Sequence, residues 1–173
     1  MIEAISALRQ ETNKPFHFLI IGDGHQKDRL QNKIQELGLE TSITLAGAIP
    51  PDDMAVWYRL GDAFLFASKS ETQGMVILEA MAAGLPVVAV RSSGIDDVIR
   101  HGFNGFKTPE RQDQWCAKVK RLLEDDDLRN TLSGQALAFA KDFSVEQFAS
   151  DVREIYATTL ALNDKKLRKR RET

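Results

Sequence analysis

Residues 63–90 read AFLFASKSETQGMVILEAMAAGLPVVAV. The apolar runs at Ala63–Ala67 and Pro86–Val90 show no polar alternation, which is the pattern of strands buried on both faces. Between them, about Gly74 to Ala83 is predicted as a helix that opens on one glycine and stops before Gly84 and Pro86. Strand, helix and strand in succession imply a parallel sheet, because a parallel neighbour is reached only through a crossover.

Working outward, the same alternation continues on both sides. Upstream, His17–Ile21 (HFLII) lies between Pro15 and Gly22 and reads as another buried strand. Gln26–Leu37 carries Leu30, Ile34 and Leu37 on one helical face and ends at Gly38. Ile43–Ala46 reads as a short strand, and Pro51–Leu60 as a helix with proline and acids in its first turn. Downstream, a short helix is expected near Asp96–Arg100 and a brief strand at Gly105–Lys107. From Arg111 to about Leu162 only helices are expected, with breaks near Asp125 and Phe143. The fold class predicted is α/β, a Rossmann-like parallel sheet with helices on both faces.

A chain of 173 residues, 43% hydrophobic, fits one such domain over residues 1–162, followed by a basic tail at 163–173. The longest apolar stretch, Met75 to Val90, is interrupted by Glu79, Gly84 and Pro86. It falls short of the roughly 20 residues that a membrane-spanning helix needs. MIEAISALRQ has no basic n-region or apolar core of a secretory signal, and Cys116 has no second cysteine to pair with. A cytoplasmic location is expected.

The net charge of −2 hides an uneven distribution. Lys165, Lys166, Arg168, Lys169, Arg170 and Arg171 place six positive charges in the last nine residues. Without those six and Glu172, 17 of the 23 basic and 24 of the 25 acidic groups remain, so the body carries −7. An acidic body excludes a general nucleic-acid binder, and nucleic acid is not expected as a partner. The tail is either a solvated terminus or a peripheral contact with anionic lipid at the inner face of a membrane.

In a parallel α/β sheet, ligands bind beyond the carboxyl ends of the strands, so the strand-to-helix loops hold the candidate site. Gly22-Asp23-Gly24 follows HFLII, where glycines permit close approach of a ligand or simply a tight turn. It lacks the third glycine of a dinucleotide fingerprint. Ala46-Gly47-Ala48-Ile49-Pro50 is a second small-residue loop. The third is the stretch from Ser68 to Gly74. Glu71 sits in that loop, and Glu79 is the only charge between Met75 and Val90, where burial would oblige it to find a hydrogen-bond partner. Both glutamates can face the mouth of the helix. There the N–H groups of Met75 and Val76 and the helix dipole favour an anion such as a diphosphate. Carboxylates on either side of a phosphate site suit a ligand with hydroxyls at both ends, as a nucleoside-diphosphate sugar has.

Glu71 and Glu79, with seven residues between them, Gly74, and the tail EAMAAGLPVV closely resemble the Glu-x7-Glu signature of the GT-B glycosyltransferases of family four. The resemblance runs from about residue 1 to residue 160. Gly22-Asp23-Gly24 is similar to that family's glycine turn, Ala46–Ile49 to its nucleobase loop, and Ser93–Val98 and Gly102–Phe106 to segments that follow its signature. It implies a retaining transfer from a donor similar to UDP-glucose to an acceptor hydroxyl of a glycolipid or polysaccharide. Glu71 would be the catalytic-site residue that contacts the sugar, and Glu79 would hold the ribose. Gly22, Gly24, Ala48, Ile49, Gly74, Met75 and Val76 would complete the donor site, with Ile49 against the base. Thr72-Gln73 is similar to bacterial glycolipid glucosyltransferases.

The departures from the family pattern are specific. Ala67 stands where the family commonly has proline. The Gly-Arg-Leu strand and following lysine that clamp the diphosphate, and the N-terminal acceptor-binding domain, are both absent from this chain. The chain is therefore expected to be the C-terminal half of a GT-B enzyme whose first sheet strand is missing. By order, that strand belongs between HFLII and AFLFA. The alternative is a non-catalytic nucleotide-sugar-binding subunit that needs a partner protein. No metal or cofactor is expected, since His17, His25 and His101 are scattered.

Overall fold

The computed structural model describes residues 1–69 and 73–171, with side chains through residue 162. Five strands alternate with helices: α1 (Ile2–Glu11), β1 (Phe18–Ile21), α2 (Lys27–Glu36), β2 (Ile43–Gly47), α3 (Met54–Tyr58), β3 (Phe64–Phe66), α4 (Met75–Ala82), β4 (Val87–Val90) and β5 (Gly105–Thr108). Three helices follow, α5 (Gln112–Glu124), α6 (Asp126–Lys141) and α7 (Val145–Arg171). α2 ends where Gly38 takes φ of 62°, the left-handed conformation that glycine reaches at little cost. α6 starts where the carboxylate of Asp125 accepts the Leu128 N–H at 2.9 Å.

The strands pair in parallel, as their crossovers require. β1 lies beside β2 with Phe18 opposite Ile43, and β4 is flanked by β3 and β5, with Val87 opposite both Phe64 and Gly105. β4 is the central strand of the larger sheet. Its Val88 packs with α1, α2, α5 and Trp115, whereas Val87 and Ala89 pack with Ile77, Met81, Ile95 and Phe139 on the opposite face. All three β4 residues have no exposed surface, which accounts for the unbroken apolar run PVVAV.

Among the described residues the strands form two separate sheets, β2-β1 and β3-β4-β5, and β1 is not paired with β3. A largely apolar groove of about 1550 Å³ runs between their facing edges. Ile5 and Leu8 of α1, Ile20 of β1, Leu65 of β3 and Leu122 of α5 line it. Residues of β1 and β3 are only half-buried, unlike those of β4. β1 and β3 are thus separated by this groove rather than joined in one sheet among the described residues.

Three local differences separate the structure from the sequence-based expectation. The helix expected at Asp96–Arg100 is absent, and a 3₁₀ turn at Ser93–Ile95 takes its place. The fully buried Asn104 carboxamide accepts the Arg100 N–H at 2.8 Å and donates to the Val98 carbonyl at 3.0 Å, which diverts backbone groups that a helix would pair. Pro51–Leu60 divides into a 3₁₀ turn at Pro51–Asp53 and α3. Finally, α1 had no counterpart in the sequence reading. Ile2, Ile5 and Leu8 give it a buried face, and its Ala4 carbonyl accepts from Cys116 Sγ at 3.2 Å. Among the described residues no helix is long and apolar enough to cross a membrane.

Candidate functional site

The carboxyl ends of the strands bring the candidate loops to one side of the sheet. β1 ends in Gly22, whose φ is 138° and whose N–H donates to the Gly47 carbonyl at 2.8 Å. This hydrogen bond ties the glycine turn to the loop that carries Ala48 and Ile49. Within the turn, the Asp23 carboxylate accepts the Gly24 N–H at 2.7 Å, so much of its shape is set by local bonding. Gly22 and Gly24 line a small hollow of about 320 Å³ together with His25 and Lys27.

Gly74 caps α4 in the left-handed conformation, φ 65°, and is buried. A Cβ there would lie 3.2 Å from Val98 Cγ2 and 3.4 Å from the Gly94 carbonyl oxygen. Glycine is thus required twice, by backbone angle and by space. Gly74→Ala is expected to cost about 1 to 3 kcal/mol of stability, read as a lowered midpoint in urea unfolding.

α4 divides its residues by face. Ile77, Ala80 and Met81 are buried, whereas Met75, Val76 and Glu79 are exposed at the helix mouth. Glu79 is exposed although it interrupts an apolar run, because an eight-residue helix at the edge of the core turns one stripe outward. Glu79 nevertheless has a hydrogen-bond partner. The Tyr58 hydroxyl, at the end of α3, donates to Glu79 Oε2 at 3.0 Å. Burial and the adjacent Glu79 carboxylate both push the Tyr58 phenol well above its ordinary pKa, so it remains a donor throughout the physiological range.

Ile49, Val76, Glu79 and Tyr58 line the same long groove that separates the two sheets. Gly22 and Gly24 line the separate hollow near α2, and Ala48 is exposed beside Ile49. Glu71 lies outside the described residues, as do the side chains of the basic tail. Two lysines on this side are already engaged by carboxylates, Lys69 after β3 with Glu110, and Lys107 within β5 with Asp96 at 2.8 Å. Lys107 and the neighbouring Arg91 hold Asp96 below the usual carboxylate range. Among the described residues no group of three His, Cys, Asp or Glu is placed to hold a metal. Tyr58 escaped the sequence reading because its partner is 21 residues away. The available signal was chemical, since a tyrosine ending a short helix needs an acceptor once its ring is buried.

Residues 1–139 match the family model described as glycosyl transferases group 1. The chain belongs to this family. An uncharacterized glycosyltransferase of Methanocaldococcus jannaschii is 32% identical over 142 residues, covering 82% of this chain and 40% of that protein. The alpha-monoglucosyldiacylglycerol synthase of Acholeplasma laidlawii is 30% identical, covering 88% of this chain and 38% of that protein. The group 1 chain therefore spans about two fifths of the length of these relatives. Among solved structures, Anabaena HepE in complex with UDP-glucose superposes with a TM-score of 0.77 at 27% identity, covering 91% of this chain and 44% of that one. The C-terminal domain of a group 1 glycosyltransferase from Francisella tularensis shares the fold, with a TM-score of 0.72 at 24% identity, covering 83% of this chain and 77% of that one. This group 1 chain thus has the architecture of a GT-B C-terminal domain.

Proposed function

We propose that this chain is the donor-binding half of a retaining glycosyltransferase that moves a sugar from a nucleoside diphosphate to an acceptor hydroxyl. The observation that carries the reading is the exposed stripe at the mouth of α4. There Val76 and the Tyr58-bound Glu79 share a groove with Ile49. The first N–H groups of a helix have no partner within it, and together with the dipole they provide for the diphosphate. Glu79 holds the ribose hydroxyls and Ile49 packs on the base. The amides of Gly74, Met75 and Val76 face the diphosphate, and Gly22, Gly24 and Ala48 border the donor. Glu71 contacts the sugar.

In the transfer, the bond between the sugar carbon and the diphosphate oxygen breaks, and the helix mouth with cations from outside residues 1–173 stabilises the departing charge. The acceptor hydroxyl bonds to the same face of that carbon, and its proton passes to the departing diphosphate. A donor similar to UDP-glucose is supported by the Anabaena complex, and a glycolipid product by the Acholeplasma relative. The acceptor site lies in a separate N-terminal domain. On this reading the protein works on the cytoplasmic side of a membrane, where its basic tail meets anionic lipid. α7 supports this with exposed Phe148, Ile155, Tyr156 and Leu160.

Calorimetric titration of the chain with UDP tests the donor site, with NAD as the control. Saturable UDP binding and no NAD binding are expected, and failure to bind UDP would remove the reading. In a complete enzyme, Glu79→Gln is expected to act mainly on the donor KM and Glu71→Gln mainly on kcat, because the latter misplaces the reacting carbon. A charge-assisted hydrogen bond is worth about 1.5 to 3 kcal/mol, so each substitution should lower kcat/KM roughly 10- to 150-fold. If both variants fold and retain full efficiency, the two glutamates are structural.

A further inference from the structure

Glu79 is an exposed side chain on a short helix, and an exposed glutamate samples many rotamers unless something holds it. Its partner, by contrast, is fixed. Tyr58 is 8% exposed, its ring packs with Ala80 and Leu85, and it meets Phe64 edge-on with centroids 5.8 Å apart at 70°. From that seat the phenol donates to one carboxylate oxygen, Oε2, at 3.0 Å. A carboxylate has a second oxygen and further lone pairs available to a ligand hydroxyl.

We propose that Tyr58 is a positioning residue, whose rigid hydroxyl holds the Glu79 carboxylate in the orientation that receives the two ribose hydroxyls of the donor nucleotide. The inference rests on the reading of Glu79 as the ribose-binding carboxylate. The physical basis is preorganisation, since ordering a flexible side chain before the ligand arrives removes that cost from binding. A tyrosine suits the task better than a basic residue. It leaves the carboxylate's negative charge in place, and the O–H···O⁻ bond is a strong, charge-assisted one. Tyr58 touches no ligand itself and acts through Glu79.

Tyr58→Phe keeps the ring and its contacts while removing the hydroxyl, and the 173-residue chain is titrated with UDP and with 2′,3′-dideoxy-UDP. For the wild type, loss of the ribose hydroxyls should weaken binding. In Tyr58→Phe, UDP should bind about 3- to 10-fold more weakly, whereas affinity for the dideoxy nucleotide should be unchanged, so the penalty for removing the hydroxyls shrinks. An equal loss with both nucleotides would show a general structural role and overturn the proposal, as would no loss with either. If wild type binds no UDP, the donor-site reading has failed. If wild type binds UDP and Tyr58→Phe binds it equally, only the positioning role has failed.

A second measurement needs no substitution and covers a variant that does not fold. With ring-carbon-labelled tyrosine, the resonance of the Tyr58 carbon that bears the hydroxyl should shift when UDP is added and remain still with the dideoxy nucleotide. Tyr156, the other of the two tyrosines, serves as the internal control. An identical Tyr58 response to both nucleotides overturns the proposal.

Discussion

The purified 173-residue chain is expected to bind UDP yet transfer no sugar. The loops proposed to bind the donor lie at the carboxyl ends of the strands, but the chain spans 38% to 40% of the two curated relatives described above. On the proposed reading, the acceptor site and the cations facing the diphosphate come from outside residues 1–173. Removing a single preorganised donor from a developing charge typically costs about 3 to 4 kcal/mol of barrier, and here several are lost together with acceptor positioning. The expected deficit relative to a complete enzyme is therefore at least about a thousandfold. Incubation with labelled UDP-glucose and a diacylglycerol or sugar acceptor would measure it. Robust turnover by the isolated chain would show that the catalytic groups all lie within these residues.

Gly105→Ala is expected to be more damaging than alanine at any other glycine whose surroundings are described. Gly105 starts β5 directly opposite Val87 of the buried central strand β4. A Cβ at this position would collide with the carbonyl oxygen of Val87 and come within 3.0 Å of its nitrogen and 3.1 Å of its carbonyl carbon. These are backbone atoms, so no side chain can move aside, and relief requires β5 to separate from β4. Overpacking of this kind costs about 1 to 3 kcal/mol and occasionally more. The upper end applies here, which for a chain of this length corresponds to a fall of about 6 to 12 °C in Tm. Gly134→Ala in α6 provides the control, because nothing lies within 4 Å of its Cβ. It is expected to be neutral or to stabilise by up to about 1 kcal/mol through helix propensity. Thermal unfolding followed by circular dichroism compares the two, and a Gly105→Ala variant as stable as Gly134→Ala would refute the account.

The sequence alone was enough to determine the α/β class and each of the five strands. The reason is local: PVVAV, AFLFA and HFLII lack polar alternation because both faces of the sheet are covered, and the intervening helices carry a start in Gly74 and stops in Gly38 and Gly84. It also pointed to the helix mouth after Gly74, since the pattern of a glycine cap and a lone glutamate in an apolar helix is contained within a few consecutive residues. Three features depended on contacts that no repeating pattern along one element reports, and were decided only by the tertiary structure. Asn104 reaches back to Arg100 and Val98 and replaces an expected helix with a turn. Tyr58 finds Glu79 across two elements, whereas the carboxylate itself proves exposed rather than buried. The gap between β1 and β3 follows from strand order, which the resemblance suggested but which only the packed sheets display. Periodicity reports the faces of an element because side-chain directions repeat along it. Which neighbour covers a face, and which acceptor meets a hydroxyl, is settled only when the chain has folded.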